Sequence, residues 1–121
     1  MAHMHLGYTQ KSLNDHASAA AAYRQAISLL PENVTAYLEL ARSLEELGQH
    51  HEARQALRTA LHRLPGEARA RIALAHLEGG RFNNPAEAIR LCREALARRP
   101  QDPGALACAA RYERRLTSGS R

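Results

Sequence analysis

Apolar residues along the chain recur three and four positions apart, in runs cut at intervals by proline, glycine and asparagine. Tyr37, Leu40, Ala41, Leu44 and Leu47 fall on one face of a helix predicted over 35–47, with Gly48 placed to end it. The same reading predicts a first helix through Leu6 and Leu13 that ends near Asn14-Asp15, then helices over 17–30, 51–64, 67–78, 85–99 and 103–116. Seven helices result, followed by a frayed tail at 117–121. Pro31, Pro65 and Pro100 stop the second, fourth and sixth, because proline lacks the amide donor a continuing helix needs. Gly79-Gly80 is expected to end the fifth, and Asn84-Pro85 to cap and open the sixth.

The stops are periodic. Pro31, Pro65 and Pro100 lie 34 and 35 residues apart, and each closes a matching stretch: Ala19, Tyr23 and Ala26; Ala53, Leu57 and Ala60; Ala88, Cys92 and Ala95. Leu6, Leu40 and Leu74 are separated by 34 and 34, whereas Ala19, Ala53 and Ala88 are separated by 34 and 35. One extra residue therefore lies between Leu74 and Ala88, and the turn at 79–85 is its natural site. Inside a helix it would rotate every later side chain by about 100° and carry the apolar stripe off its neighbour. Each repeat can bury its apolar face only against adjacent helices, so a layered helical array is predicted.

Composition supports this reading. Of 121 residues, 45% are hydrophobic, with Ala and Leu prominent, one Phe and no Trp, which suits close helix packing better than a thick interior. β-Branched residues are few and nowhere alternate with polar ones, so strands are not expected. The net charge of +5 comes from arginines concentrated after residue 54. Such a balance can attract an acidic partner or simply solvate the surface. Nucleic acid is not expected: no recognition module is present, and the four Tyr and one Phe are not interleaved with the arginines as a stacking series.

Candidate chemistry is sparse. Cys92 and Cys108 form neither a disulfide framework nor a close metal motif, which favours a reducing, cytoplasmic setting. Cys92 shares its repeat position with Tyr23 and Leu57 and is predicted to be a buried small hydrophobe, while Cys108 is placed toward the open face. No run is apolar enough to span a bilayer, and 1–5 carries no signal core. The first four residues read as a cloning remnant and the chain as an excerpt of a longer one. His50-His51 are adjacent and point apart on a helix, so they do not form an i, i+4 metal pair. Asp15 or Ser18 in the run 15–18 is read as a helix cap rather than part of a triad. No enzyme activity and no cofactor are expected.

The repeated residues resemble the tetratricopeptide repeat, whose pattern is W-x2-L-G-x2-Y, then A-x3-F, then P. The copies here read His3-x2-Leu6-Gly7-x2-Gln10, Ala19-x3-Tyr23, Pro31; Tyr37-x2-Leu40-Ala41-x2-Leu44, Ala53-x3-Leu57, Pro65; and Arg71-x2-Leu74-Ala75-x2-Glu78, Ala88-x3-Cys92, Pro100. The last helix restarts the pattern at Leu106, Ala109, Ala110 and Glu113. His3 and Arg71 replace the first large aromatic, and Gln10 and Glu78 the second, so looser contacts are expected there. The resemblance implies an all-α, right-handed α-solenoid of three helical hairpins plus a C-terminal capping helix. It spans a single domain at 1–116, with repeats at about 1–33, 34–67 and 68–102 and the cap at 103–116.

It also implies a function: a protein-interaction scaffold whose first helices line a concave groove for a peptide or helix. By register the groove would carry Tyr8, Lys11, Leu38, Glu39, Arg42, Arg69, Ile72, His76 and Arg111, with Cys108, Arg114 and Arg115 at its end. This face suits a partly acidic peptide with an apolar anchor. It does not suit the acidic chaperone tails that some members grip, because Met4, Tyr8, Glu39 and Ala73 replace four of the five clamp residues and only Arg69 matches. A self-assembling array and a regulatory segment of a larger enzyme are the alternatives.

Overall fold

The computed structural model describes residues 13–119, and among them the chain is helical with short connections. Six helices are seen: α1 (Leu13–Leu29), α2 (Val34–Glu46), α3 (His50–Arg63), α4 (Ala68–Gly80), α5 (Pro85–Arg98) and α6 (Pro103–Gly119). The helix expected through Leu6 lies outside the described residues. No described helix is long and apolar enough to cross a membrane. The chain divides into two compact units, one ending at Pro65 and one beginning at Gly66.

In the first unit α2 packs against both α1 and α3. Ala19, Ala20 and Tyr23 of α1, Tyr37, Leu40, Ala41 and Leu44 of α2, and Ala53, Leu57 and Ala60 of α3 are all buried. Alanine at Ala53 and Ala60 lets the backbones approach, while Leu and Tyr fill the space between them. Asn33 caps α2 by accepting from the Ala36 amide at 3.3 Å. Gly48, at φ +78°, turns the chain out of α2 in the left-handed conformation that its sequence position predicted. One boundary differs. Asn14 and Asp15 lie within α1 rather than in a break, and Ser18 is inside the helix, so neither Asp15 nor Ser18 is a terminal cap.

In the second unit α5 packs against α4 and α6, and α4 also touches α6. Leu74, Ala75 and Leu77, Ala88, Leu91 and Ala95, and Ala105, Ala109 and Tyr112 form its core. Asn84 caps α5 by accepting from the Glu87 amide at 3.4 Å, and Pro85 opens the helix, as expected. The α2–α3 connection is three residues (47–49) and the α4–α5 connection four (81–84), while α2 matches α4 at 13 residues and α3 matches α5 at 14. The extra residue is thus held in the connection, where Asn83 adopts φ 49°.

Three expectations are corrected here. Gly79 and Gly80 belong to α4 instead of ending it early, and the ring of Tyr112 rests against Gly79. Helix α6 continues to Gly119, beyond the end expected near Leu116. Cys92 and Cys108 are joined in a disulfide, with Cα atoms 5.9 Å apart and both residues fully buried, so Cys108 does not face the open surface. Their positions explain it: Cys92 is seven residues before Arg99 and Cys108 six after Asp102, so a hairpin folding across that turn brings them to matching heights. The paired Cys92 and Cys108 remove the ground for expecting a reducing setting.

Candidate functional site

The residues singled out for binding fall on α2 in the first unit and on α4 and α6 in the second, with Tyr8 and Lys11 outside the described residues. On α2, Leu38 and Glu39 are half-buried and Arg42 is exposed. Arg42 lies 3.5 Å from Glu39, one helical turn away. That pairing turns part of the local basic charge inward onto its own helix.

The second unit assembles more. On α4, Arg69 and His76 are exposed and Ile72 is half-buried; on α6, Arg111 is exposed. These positions step along α4 at three, four and seven residues, which places them on one face. Helix α6 lies beside that face: a side chain on Gly104 would come within 3.4 Å of Ile72 Cδ1, and Tyr112 reaches His76. His76 Nδ1 is 2.9 Å from the Tyr112 hydroxyl, their rings are 5.6 Å apart, and the Arg111 guanidinium stands over the Tyr112 ring at 5.6 Å. Partial desolvation of the ring beside α6 lowers the His76 pKa below its usual 6.5, and the positive charge of Arg111 lowers it further. At neutral pH the strip therefore holds a neutral imidazole between a half-buried isoleucine and fixed guanidinium charge.

Arg69 pairs with Glu67 at 3.7 Å through a largely exposed side chain. Exposed pairs of this kind are worth about 1 kcal/mol or less, so an incoming carboxylate can take the arginine over at little cost. The strip can bind an anionic group and an apolar side chain together.

Arg115, expected along the open face, instead clasps the end of α4, donating to the Gly79 carbonyl at 2.6 Å and to Asn83 Oδ1 at 3.1 Å. Arg71, at the place of a missing aromatic, is half-buried and donates to Glu94 at 3.3 Å. Glu94 and Glu87 also hold Arg90, whose pKa is raised first by its hydrogen bond to Glu87, with the fully buried Glu78 adding to the same field. The central residue that sequence reasoning missed is Tyr112. Its signal was present in the spacing Ala105, Cys108, Ala109, Tyr112, which continues the buried stripe of α6.

The repeat register, the caps and the helix lengths agree with a match between residues 12–77 and the tetratricopeptide repeat family model, a span of more than half the chain. The chain belongs to the tetratricopeptide repeat family. The solved TPR domain of Arabidopsis OM64 is similar over 93% of both chains, at 22% identity and a TM-score of 0.70. The thermophilic TPR protein TTC0263 of Thermus thermophilus is similar over 96% of this chain, at 23% identity and a TM-score of 0.73, although this chain spans only 59% of it. PcrH, solved in complex with the chaperone binding region of PopD, is similar over 97% of this chain and 87% of its own, at 20% identity and a TM-score of 0.68. No curated protein matches in sequence. At these identities the likeness is one of fold, and the fold is an all-α helical-repeat architecture, as the periodicity predicted.

Proposed function

We propose that this tetratricopeptide protein is an interaction scaffold that binds a peptide of a protein partner along the α4–α6 strip of its second unit. The observation that carries the reading is the grouping of Ile72, His76 and Arg111, with Arg69 on the same face of α4. These side chains are accessible without unfolding the unit, and arginine contributes disproportionately to binding energy when a partner desolvates it. The solved PcrH complex supports the class of function, because a similar fold there holds a segment of another protein. The preferred ligand is a peptide with a large apolar residue seated against Ile72 and a carboxylate beside Arg111 or Arg69. On α2, Leu38, Glu39 and Arg42 offer a second, more self-neutralised face for the same kind of ligand.

Selection from a random peptide library on the wild-type chain, followed by titration of the selected peptides against Arg69→Glu, Arg111→Glu, tests this reading. Selected peptides should be acidic with an apolar residue and should lose roughly tenfold or more in affinity to the double variant, since like-charge juxtaposition costs more than a lost surface pair. The melting temperature should stay near the wild-type value. Peptides that bind both proteins equally would place recognition elsewhere.

A further inference from the structure

We propose that the first unit carries a separate small-molecule site, a cleft beside α1 and α3, suited to a compact apolar ligand bearing one carboxylate. The cleft has a volume of about 310 Å³ and includes Ile27 from α1, Leu44 from α2 and Ala56 from α3 among its walls. That is the lower end of the size of pockets that hold small organic molecules, and its apolar walls are of the usual kind. None of the residues assigned to peptide binding lines it.

Two polar features define the ligand. Tyr37 also lines the cleft, is 2% exposed, and its hydroxyl has no hydrogen-bond partner. A buried hydroxyl in that state is a donor in deficit, and a ligand oxygen that accepts from it removes the deficit. Arg24 is the second feature. It lines the same cleft opposite Glu52, separated from it by 4.0 Å, with both side chains more than half exposed (53% and 57%). So long and exposed a pair holds its members weakly, and a planar carboxylate offers the guanidinium a better, two-pronged partner while Glu52 turns to water. A carboxylate accepts from a phenolic hydroxyl and pairs with a guanidinium, so it is the polar group that answers to the chemistry of both residues. The apolar remainder of the ligand then lies against Ile27, Leu44 and Ala56.

The probe is naphthalene-1-carboxylate, titrated into the full ¹⁵N-labelled chain and followed by amide chemical shifts. Saturable shifts are expected at Ile27, Leu44 and Ala56, with a dissociation constant on the order of 0.1–1 mM for a ligand of this size. Tyr37→Phe keeps the cleft and removes the donor, so it should weaken binding roughly threefold to tenfold. Arg24→Gln should weaken the carboxylate similarly and leave the neutral analogue naphthalene-1-methanol unaffected. Ala56→Phe, or Thr59→Phe should the first variant not fold, fills the cleft and should abolish the shifts. The proposal is overturned if the wild type shows no saturable shift at these residues, or if the filled variant still binds as the wild type does.

Discussion

Gly79 of α4 lies directly under the ring of Tyr112 of α6, so close that a Cβ on Gly79 would sit among the ring atoms. The contact joins two helices that are not consecutive in the chain. It also positions the Tyr112 hydroxyl against His76, one helical turn before Gly79. Gly79→Ala should therefore destabilise the protein by about 1–3 kcal/mol, the usual cost of forcing volume into a packed interior. Its neighbour provides the control. Gly80 is exposed, helical and meets nothing within 4 Å, so Gly80→Ala should stabilise by about 0.5–1 kcal/mol through the less flexible unfolded chain. Urea denaturation of the two variants separates the outcomes by sign, and a Gly79→Ala midpoint at or above wild type would contradict the contact.

The lowered pKa of His76 has a direction in pH. An unfolded chain takes up the proton near 6.5, before the folded one does, so stability from this residue is complete above 6.5 and is lost as the pH falls through the lower folded value. The difference in stability between wild type and His76→Gln should thus shift against the wild type below pH 6.5 and be flat above it. Arg111→Gln should move the folded titration upward, toward 6.5, by removing the secondary cause while leaving the burial. Proton-detected titration of the His76 ring reads both effects. A His76 ring that titrates above 6.5 in the wild type would reverse the assignment.

The disulfide between Cys92 and Cys108 joins residues 16 positions apart in the sequence. Restricting the unfolded chain over such a length contributes roughly 3 kcal/mol in the chain-entropy model. Oxidised protein should accordingly melt higher than protein treated with dithiothreitol, and the double variant Cys92→Ala, Cys108→Ala should be indifferent to the reductant. Free-thiol counting on the unfolded, non-reduced chain gives a direct check. Two reactive thiols recovered under oxidising preparation would remove the link.

Much of the architecture was legible because it depends on sequence-local spacing. Ala53 and Ala60, and Ala88 and Ala95, sit at matched repeat positions and all are fully buried, and Leu40 and Leu74 are buried as their register required. The extra residue near Gly79 was legible for the same reason, since only a connection can absorb it. What escaped depends on which helix lies opposite. Cys108 and Arg115 were assigned from their own helix alone, and nothing in a single helix shows that its neighbours present a second cysteine or an unpaired carbonyl. Glu78 is the clearest case: its place in the motif was noted as a weakened aromatic contact, yet it is a fully buried carboxylate contributing to the field at Arg90. For the binding strip, the register listed Ile72, His76 and Arg111 together, while Tyr112, which ties His76 to Arg111, carried only the bland signal of a core spacing.

Leu40 and Leu74 occupy equivalent repeat positions and are 6% and 3% exposed. Each truncation to alanine should cost about 2–5 kcal/mol, from lost apolar transfer and the cavity left behind. The two belong to different units, so amide exchange should accelerate mainly among residues packed on α2 for Leu40→Ala and on α4 for Leu74→Ala. Exchange that rises evenly over the described residues in both variants would show that the chain unfolds as one cooperative body.

Arg115 tests whether the C-terminal arginines are interchangeable solubilising charges. Its guanidinium donates to the Gly79 carbonyl in the last turn of α4, lies 5.9 Å over the Tyr112 ring, and reaches Asn83 in the connection that follows. A helix end leaves carbonyls without amide partners and carries partial negative charge, so a cation placed there is favourable on both counts. Arg114, one residue earlier, is exposed and points elsewhere on the helix. Arg115→Ala should cost about 1.5–3 kcal/mol and speed amide exchange at Asn83 and Asn84, whereas Arg114→Ala should stay within about 0.5 kcal/mol of wild type. Because both substitutions remove one positive charge, any effect of net charge is common to them. Equal stabilities for the two variants would return Arg115 to the solvated surface, and a difference of the expected size would make it the residue that fastens α6 to the end of α4.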